Sequence, residues 1–391
     1  MRRTEVAVVG GLTVLLLIAV AITVPVELSS RKHSDVEKQT VGGGRPLRFH
    51  LVGDYGQIVN KSDTLALKQA AIPVELVASQ MSNRSLTYPI DFIATTGDNV
   101  YPNGMKDIFD YTQFQLMYQI FNKPGLAGRP WYPVLGNHDC ENTPPMLDIS
   151  TVYPMWNLPS DYYSFPVSLD NNATAVLIFL NGCTLACELL PGQEKLNYCD
   201  YNFTEMEINT QYEWLEGVLQ EAYVMQATWV MAFIHMPPFG AGVGGNNNSV
   251  ILGDDEALKL RLYPLLEKYN VDFLFAGHNH LAEYLFVPWN QPIFPAPTQY
   301  LPCQSYFNYY AFNQTYVSMP KSANGMHEVI IGSSGHEVDT LCVYNETAMA
   351  ELVYGSTEWG FAEVSVSSTE VVVNYMIIES PEPAFTLVVQ T

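Results

Sequence analysis

Five short apolar runs in this chain each end at a side chain that can bind a metal ion, and this repetition restricts the fold more than any other feature. The runs are short enough for buried strands and lie at helix-sized intervals. They lead to Asp54, to Asp98, to Asn137 and His138, to His235, and to His278 and His280. Parallel strands joined by right-handed crossovers direct their carboxyl ends to one edge of a fold. The chain is therefore predicted to be an α/β protein whose site lies at the C-terminal ends of its strands.

The spacing of apolar residues predicts further elements. Residues 64–81 are predicted to form a helix kinked at Pro73, since proline removes a backbone hydrogen bond from a helix interior. Residues 254–269 place their leucines on one face and are predicted to form a second helix, which leads directly into a strand. Residues 361–367 and 371–378 alternate or run apolar, which is typical of a hairpin that closes a sheet.

Size and charge limit the class of protein. With 391 residues, of which 48% are hydrophobic, the chain can bury a large core. Its formal net charge of −22 leaves no basic stripe that could release counterions from phosphates, so we expect no nucleic-acid partner. An acidic chain can still act on phosphate compounds if bound metal ions supply the local positive charge.

The N-terminal segment predicts entry into the secretory pathway. Residues 6–26 form an uninterrupted run of apolar or small residues, about 31 Å long as a helix, which is enough to span a bilayer core. The same run also fits a cleaved signal peptide. We therefore predict a signal-anchor or signal peptide over residues 1–27, a flexible stalk over 28–45 and a catalytic domain over 46–391. That domain would be membrane-anchored and lumenal or extracellular, or secreted or lysosomal if the signal is cleaved.

Two residue types fit an oxidising, glycosylating compartment. Sequons predict N-glycans at Asn60, Asn83, Asn172, Asn202, Asn247, Asn313 and Asn345. The cysteines favour disulfides over a cysteine-based zinc site, because no paired CxxC spacing is present. They are Cys140, Cys183, Cys187, Cys199, Cys303 and Cys342. The nearby Cys183, Cys187 and Cys199 are expected to staple a local excursion, although the pairing itself is not readable from the sequence.

The residues around the strand ends form five motifs. In chain order these are Asp54-x-Gly56, Gly97-Asp98-x-x-Tyr101, Gly136-Asn137-His138-Asp139, the strand-borne His235, and Gly277-His278-x-His280. They resemble the motifs of the metallophosphoesterases, and within them the purple acid phosphatases of the small, tartrate-resistant kind. Most metallophosphoesterases have histidine in place of Gly56, and its exchange for Tyr101 is the signature of the subgroup. The resemblance implies a two-sheet α/β sandwich with a dinuclear metal site.

The resemblance also implies a ligand set and a reaction. The Fe(III) ion would be held by Asp54, Tyr101 and His280. The divalent ion, which is Fe(II), Zn(II) or Mn(II), would be held by Asn137, His235 and His278. Asp98 would bridge the two ions. Carboxylate and phenolate oxygens suit a trivalent iron, and imidazoles with an amide oxygen suit these divalent ions. The implied protein is a secretory-pathway acid phosphatase that hydrolyses phosphate monoesters through attack by a metal-bound hydroxide. Small phosphate esters are the expected substrates.

The resemblance also bears on the other histidines of the chain. His138 is implied to bind the substrate phosphate and to protonate the leaving group, with Asp139 orienting its ring; the alternative is that His138 only caps the loop. His50, His327 and His336 have no motif around them and are interpreted as structural, although His336 lies in a segment that the family places near the cleft.

One departure from the family keeps a second function open. The family supplies a second phosphate-binding histidine about nine residues after the strand-borne ligand, and residues 236–249 contain none. Loss of a general acid slows cleavage of poor leaving groups, so activated aryl phosphates or anhydrides are the expected good substrates. The alternative function is a catalytically impaired binding or structural subunit of a membrane assembly. The complete ligand set favours the enzyme.

Overall fold

The computed structural model of the chain describes residues 39–40, 45–56, 64–109, 112–188, 203–244, 250–251, 255–290, 306–307, 315–342, 350–378 and 380–391. All of them belong to one compact unit, His33–Thr391. The predictions for residues 1–27 and for most of residues 28–45 fall outside these ranges, as do the sequons at Asn60, Asn202, Asn247, Asn313 and Asn345. The sequons at Asn83 and Asn172 are exposed. Within the ranges, no helix combines the length and apolar character that a bilayer crossing needs.

Strands account for about half of the regular structure in the described ranges. In chain order they are β1 (Gln39–Thr40), β2 (Leu47–Val52), β3 (Phe92–Thr95), β4 (Trp131–Pro133), β5 (Tyr163–Ser168), β6 (Thr174–Phe179), β7 (Trp229–Phe233), β8 (Gly242–Gly244), β9 (Val250–Ile251), β10 (Phe273–Ala276), β11 (Ala282–Pro288), β12 (Tyr306–Phe307), β13 (Tyr316–Pro320), β14 (Gly325–Ile331), β15 (Thr340–Cys342), β16 (Glu351–Ser356), β17 (Gly360–Val366), β18 (Glu370–Ile377) and β19 (Phe385–Gln390).

Helices connect successive parallel strands. The α-helices are α1 (Thr64–Thr87), α2 (Thr112–Phe121), α3 (Thr143–Asp148), α4 (Gly182–Ala186), α5 (Glu205–Val224) and α6 (Tyr263–Lys268). Short 3-10 helices occupy Cys140–Asn142, Ile149–Thr151 and Asp170–Asn172, and a π-helix over Leu258–Leu262 directly precedes α6. Connections of this kind are those required between neighbouring parallel strands.

The described strands form two large mixed sheets and one small sheet. One large sheet has the order β1-β5-β6-β7-β10-β14-β11-β16, and the other has the order β13-β19-β18-β17-β2-β3-β4. β6, β7, β10 and β14 run parallel in the first, and β2, β3 and β4 run parallel in the second. The small sheet has the order β12-β15-β8-β9. Each large sheet thus has a block of parallel strands whose carboxyl ends share an edge.

Aromatic rings pack between the two large sheets. The ring of Phe49 on β2 lies 6.0 Å from Phe233 on β7 and 6.2 Å from Phe275 on β10, measured between centroids. Tyr132 on β4 lies 4.7 Å from Phe165 on β5 in the same way. All five rings are buried. The sheets therefore bury their apolar faces against each other, and the predicted two-sheet α/β sandwich is confirmed.

The predicted helices and hairpin are present with changed limits. The helix predicted over residues 64–81 is α1, which continues to Thr87 with Pro73 in its interior. The helix predicted over 254–269 is divided into the π-helix and α6. The predicted hairpin is β17 and β18, in which Val366 pairs with Val371.

Candidate metal centre

The structure brings the predicted ligand side chains to the ends of five strands. Asp54 follows β2, Asp98 follows β3 and Asn137 follows β4 in one sheet, whereas His235 follows β7 and His278 follows β10 in the other. The candidate centre therefore lies where the C-terminal edges of the two parallel blocks come together.

Asp98 stands between two groups of these side chains. On one side, the Tyr101 hydroxyl donates to Asp98 Oδ2 at 2.9 Å and lies 3.4 Å from Asp54 Oδ1. Asp54 Oδ1 in turn lies 3.5 Å from His280 Nε2. On the other side, Asp98 Oδ1 is 3.3 Å from His235 Nε2. One ligand atom from each of Asp54, Asp98 and His235 lies within 4.8 Å of the other two. These residues form a candidate metal-binding cluster.

Two histidines from the second sheet converge on Asn137. Asn137 Oδ1 lies 3.0 Å from His235 Nε2 and 3.0 Å from His278 Nδ1. These are the three side chains that the resemblance assigns to the divalent ion. The structure places them together, and their role as ligands stays a prediction.

Backbone carbonyls orient two of the imidazole rings. His235 Nδ1 lies 2.7 Å from the carbonyl of Thr96, and His280 Nδ1 lies 3.0 Å from the carbonyl of Glu337. A carbonyl only accepts hydrogen bonds, so each Nδ1 carries the hydrogen and each Nε2 faces a carboxylate. Metal-binding histidines are oriented in this manner. Together with the carboxylate, phenol and amide oxygens, these nitrogens form a donor set that fits two metal ions.

Three of the predicted ligands have a left-handed backbone. The dihedral φ is 53° at Asp54, 51° at Asp98 and 68° at His278. This region is unfavourable for residues other than glycine, and residues held in it cluster at functional sites. The Asp54 carboxylate itself holds His278, whose backbone N–H donates to Asp54 Oδ2 at 3.0 Å. The left-handed turn at His278 is thus supported from within the cluster.

Two glycines make room for the predicted ligands. A Cβ at Gly136 would lie 2.1 Å from Asp98 Oδ1, so a side chain there would displace the carboxylate. A Cβ at Gly56 would lie 2.4 Å from Cδ2 of Tyr101. The Tyr101 ring therefore occupies the space beside residue 56, which gives a packing reason for the exchange of histidine for glycine at this position.

Charges within the cluster shift several pKa values. Burial by itself lowers the pKa of His235 and of His280, but the Asp98 and Asp54 carboxylates raise it to about 9 in each case. Burial raises the pKa of Asp98, but His235 outweighs this effect and holds it below its ordinary value. Burial and the neighbouring carboxylates raise the pKa of Tyr101. The carboxylates therefore favour positive charge on His235 and His280, where protons provide it and metal cations would replace it, whereas burial and His235 lower the pKa of His278 to about 3.

His138 lies at the accessible side of the cluster. Its ring centroid is 4.3 Å from that of Tyr101, its Nε2 is 3.8 Å from Asp98 Oδ2, and its side chain is 28% exposed. Its Nδ1 contacts the carbonyl of Pro102. The Pro102 carbonyl therefore orients the ring, and Nε2 is the atom that can reach a substrate.

Asp139 binds the ligand loops rather than the His138 ring, so the prediction that it orients His138 is wrong. Its buried carboxylate accepts backbone N–H groups at distances between 2.9 and 3.1 Å, from Asn99, Val100 and Gly136. Asn99 also donates its side-chain amide at 2.7 Å. Asp139 thereby connects the loop after β3 to the loop after β4.

His336 is a neighbour of the cluster. Its ring centroid lies 4.8 Å from Tyr101 and 4.1 Å from His280. His336 has no motif around it, so these contacts are not expected from its neighbours in the sequence. The only sequence signal for them is its place in the segment that the resemblance puts near the cleft. The carbonyls of Thr96 and Glu337 leave no sequence signal, because every residue carries a carbonyl.

A disulfide joins Cys140 to Cys183. The expectation that Cys183 staples a local excursion with Cys187 and Cys199 is therefore wrong for Cys183, whereas Cys199 lies outside the described residues. Cys187 is also disulfide-bonded, and no cysteine is free in the part of the chain that the structure describes. The Cys140 bond attaches the loop after β4 to α4.

Comparison with known proteins finds relatives by sequence similarity. The profile of the calcineurin-like phosphoesterase family matches residues 47–282. The chain is 25% identical over 281 residues to tartrate-resistant acid phosphatase type 5 of Sus scrofa, covering 70% of this chain and 74% of that protein. It is 26% identical over 275 residues to purple acid phosphatase 4 of Arabidopsis thaliana, covering 69% and 71%.

Solved structures share the fold at lower identity. GAP50, described as the anchor in the inner membrane complex of Plasmodium, superimposes with a TM-score of 0.60 at 19% identity and covers 88% of each chain. Purple acid phosphatase PPD1 from seeds of yellow lupin (Lupinus luteus) has a TM-score of 0.57 at 14% identity and covers 89% of this chain and 54% of its own.

Proposed function

This chain belongs to the calcineurin-like phosphoesterase family, and from that premise we propose that it is an acid phosphatase that hydrolyses phosphate monoesters at a dinuclear Fe(III)–M(II) centre. Relatives named acid phosphatases support the reaction. The observation that carries the proposal is the position of Asp98, whose Oδ2 accepts from Tyr101 and whose Oδ1 faces His235. A carboxylate placed between two groups of ligand side chains can bridge a pair of metal ions.

The proposed ligands divide between the two ions. Asp54, Tyr101 and His280 would hold Fe(III). Asn137, His235 and His278 would hold the divalent ion, which would be Fe(II), Zn(II) or Mn(II), and Asp98 would be shared. The ions supply positive charge that binds a phosphate group and lowers the pKa of water. Two carboxylates and a phenolate would not neutralise a trivalent and a divalent ion, so the loaded site would be positive within an acidic protein.

His138 is the proposed residue for contact with the substrate. Its Nδ1 is held by the carbonyl of Pro102, and its backbone N–H donates to Asp98 Oδ1 at 3.0 Å. The backbone of His138 is therefore attached to the same carboxylate that separates the two ligand groups, and the Pro102 carbonyl sets the direction of the ring. From this position Nε2 donates a hydrogen bond to the phosphate and transfers a proton to the departing oxygen.

The proposed compartment is the secretory pathway. Support comes from the apolar run over residues 6–26, the sequons, of which Asn83 and Asn172 are exposed, and the disulfides. N-terminal sequencing of the mature protein distinguishes a retained membrane anchor from a cleaved signal. Intact residues 1–27 indicate the anchor, and a start after the apolar run indicates secretion or a lysosomal location.

Metal analysis combined with a phosphatase assay tests the proposed function. The purified chain is expected to contain iron and a second metal and to hydrolyse p-nitrophenyl phosphate at acid pH. Tyrosinate bound to ferric iron gives a visible charge-transfer band. Tyr101→Phe removes only the phenol oxygen and is therefore expected to abolish the colour, whereas Tyr118→Phe, a change in α2 away from the cluster, is the matched control. A colourless chain without iron that hydrolyses no phosphate ester contradicts the proposal.

A second candidate function is a non-catalytic subunit of a membrane assembly. The observation that favours it is the fold shared with GAP50, whose description is that of an anchor in a membrane complex, over 88% of both chains. The absence of histidine from residues 236–249 points in the same direction. This candidate predicts a folded chain that lacks iron and phosphatase activity, so the same purified material decides between the two.

A further inference from the structure

Glu283 is a buried carboxylate that plays no part in the proposed function. It lies on β11, and its side chain is 2% exposed. Glu283 Oε2 accepts the backbone N–H of Ala241 at 2.7 Å, and Oε1 accepts the side-chain amide of Asn279 at 3.0 Å. One carboxylate thus joins two segments that are far apart in the sequence.

Both segments belong to the surroundings of the candidate metal centre. Asn279 is the residue between His278 and His280, and it lies in the connection between β10 and β11. Ala241 lies in the segment that follows His235 and leads into β8. Neither residue is in a strand of the large sheets, so contacts other than the strand pairing of those sheets, including those made by Glu283, fix their relative position.

The two segments are also in close packing contact. A Cβ at Gly242 would lie 3.0 Å from Cγ of Asn279, and the Asn279 side chain is fully buried. The carboxylate of Glu283 supplies the polar partners in this contact, because buried N–H groups require acceptors. The two segments therefore meet where Gly242 packs against Asn279.

We propose that Glu283 is a positioning residue of the metal centre, which fixes His278 and His280 relative to the segment after His235 by linking Asn279 to Ala241. The inference rests on the proposed function insofar as these histidines bind metal. The link itself exists in the protein without metal and can be tested there.

Glu328 provides a matched control on the same face of the same sheet. In the register of β11 with β14, Glu283 lies opposite Ile330 and Leu285 lies opposite Glu328. Glu328 is fully buried as well, and its Oε1 accepts the backbone N–H of Phe239 at 3.4 Å. No hydrogen bond joins it to Asn279 in the described residues. Glu328→Gln therefore makes the same chemical change without breaking the link to the ligand loop.

Hydrogen exchange of the full, metal-free chain is the primary test. In Glu283→Gln the amide group turns a donor toward Ala241 or Asn279, so one contact is lost, and amides of residues 277–283 and 239–244 are expected to exchange about tenfold faster or more. Burial raises the pKa of Glu283 to about 7, so exchange is measured above that pH. Glu328→Gln is expected to leave residues 277–283 unchanged. Unchanged exchange there in Glu283→Gln, or equal acceleration in both variants, overturns the proposal.

A double variant separates the hydrogen bond from general damage to the fold. In Glu283→Gln with Asn279→Asp, the new carboxylate accepts the glutamine amide, so the donor and acceptor exchange places. Exchange in residues 277–283 is expected to return toward the wild-type rate. Failure of this rescue, with exchange as fast as in Glu283→Gln alone, shows that the hydrogen bond is not what positions the loop.

Titration of the metal-free chain with Zn(II) supplies a second readout. Residues that support metal ligands typically affect metal affinity about 10- to 100-fold, and Glu283→Gln is expected to weaken Zn(II) binding in this range while Glu328→Gln does not. If the wild-type chain binds no metal, the proposed function fails, and the exchange experiment still decides whether Glu283 positions the loop. If the wild type binds metal and Glu283→Gln binds it equally well, only the positioning role is overturned.

Discussion

Asn99 donates both its backbone N–H and its side-chain amide to the Asp139 carboxylate, at 3.0 and 2.7 Å. Asn99 directly follows Asp98, and Asp139 comes two residues after Asn137. The pair therefore connects the loop that supplies the proposed bridging carboxylate to the loop that supplies a proposed ligand of the divalent ion. Both residues are buried, which makes the contact costly to disturb.

Asp139→Asn is expected to destabilise the chain by about 2 to 4 kcal/mol, because the amide presents a donor to groups that are themselves donors. It is also expected to lower the content of both metals, since the two loops lose their common anchor. Thermal unfolding and metal analysis measure the two effects. Asp170→Asn is the control: Asp170 accepts from the backbone and hydroxyl of Ser368 in a turn outside the cluster. Equal metal loss in both variants contradicts the prediction.

The leaving group is expected to determine the rate. Residues 236–249 contain no histidine. His138 is therefore the proposed proton donor, and that segment supplies no second imidazole to assist it. Loss of a general acid costs about 10²- to 10⁴-fold for poor leaving groups. Aryl phosphates and anhydrides are therefore expected to have a much higher kcat/KM than alkyl phosphates, and His138→Ala is expected to widen the gap.

Equal kcat/KM values for the two substrate classes would count against this prediction. His336 is the residue to examine in that event, because its ring contacts those of Tyr101 and His280. A gap that appears only in His336→Ala would identify His336 as the missing donor.

A half-buried ion pair between α1 and β17 is expected to make stability depend on pH. Arg84 Nε and Nη2 donate to the two oxygens of Glu363 at 2.7 and 2.8 Å. Burial raises the pKa of Glu363, but Arg84 and His50 outweigh burial and lower it from 4.5 to about 2. A carboxyl with a lowered folded pKa stabilises the fold above its unfolded pKa, and this contribution is lost as the pH falls through the folded pKa.

Glu363→Gln is therefore expected to cost at most about 3 kcal/mol at neutral pH, with the difference from wild type shrinking between pH 4.5 and about 2. Urea unfolding at several pH values measures it. Glu216→Gln removes the exposed pair with Lys268, which solvent screens, and is expected to change stability little. A pH-independent difference between wild type and Glu363→Gln would show that packing, not charge, is lost.

The sequence predicts what depends on local pattern. The strand ends that carry Asp54, Asp98 and His235 could be located because each follows an apolar run, and α1 and the β17–β18 hairpin follow from apolar spacing. The π-helix over Leu258–Leu262 shares its apolar pattern with an α-helix, so the spacing alone does not reveal it.

Contacts between distant segments explain the errors. Asp139 can bind Asn99 because β3 and β4 are neighbours. Cys183 can bond to Cys140 because of where α4 begins. The first contact is decided by sheet order and the second by the packing of one large sheet against the other, and neither is decided by residues nearby in the sequence. Nearby residues in the sequence instead suggest His138 as the partner of Asp139, and Cys187 and Cys199 as the partners of Cys183.

The Cys140–Cys183 disulfide is expected to stabilise the fold and to protect the divalent ion. Cys140 is two residues beyond His138, and Cys183 lies in α4. A Cβ at Gly182 of this helix would lie 3.0 Å from Ile234 Cγ1 and from Met236 Sδ, the side chains on either side of His235. The bond therefore holds the loop of Asn137 against the segment that carries His235.

The variant Cys140→Ala with Cys183→Ala is expected to lose about 4 kcal/mol in the chain-entropy description, given the sequence separation of 43 residues. Because Asn137 and His235 are proposed ligands of the divalent ion, that ion is expected to be lost before iron. The ratio of the two metals after dialysis, compared with wild type under the same conditions, measures this selectivity. Loss of iron and the divalent ion in equal proportion would show that the disulfide stabilises the fold as a whole without favouring one half of the centre.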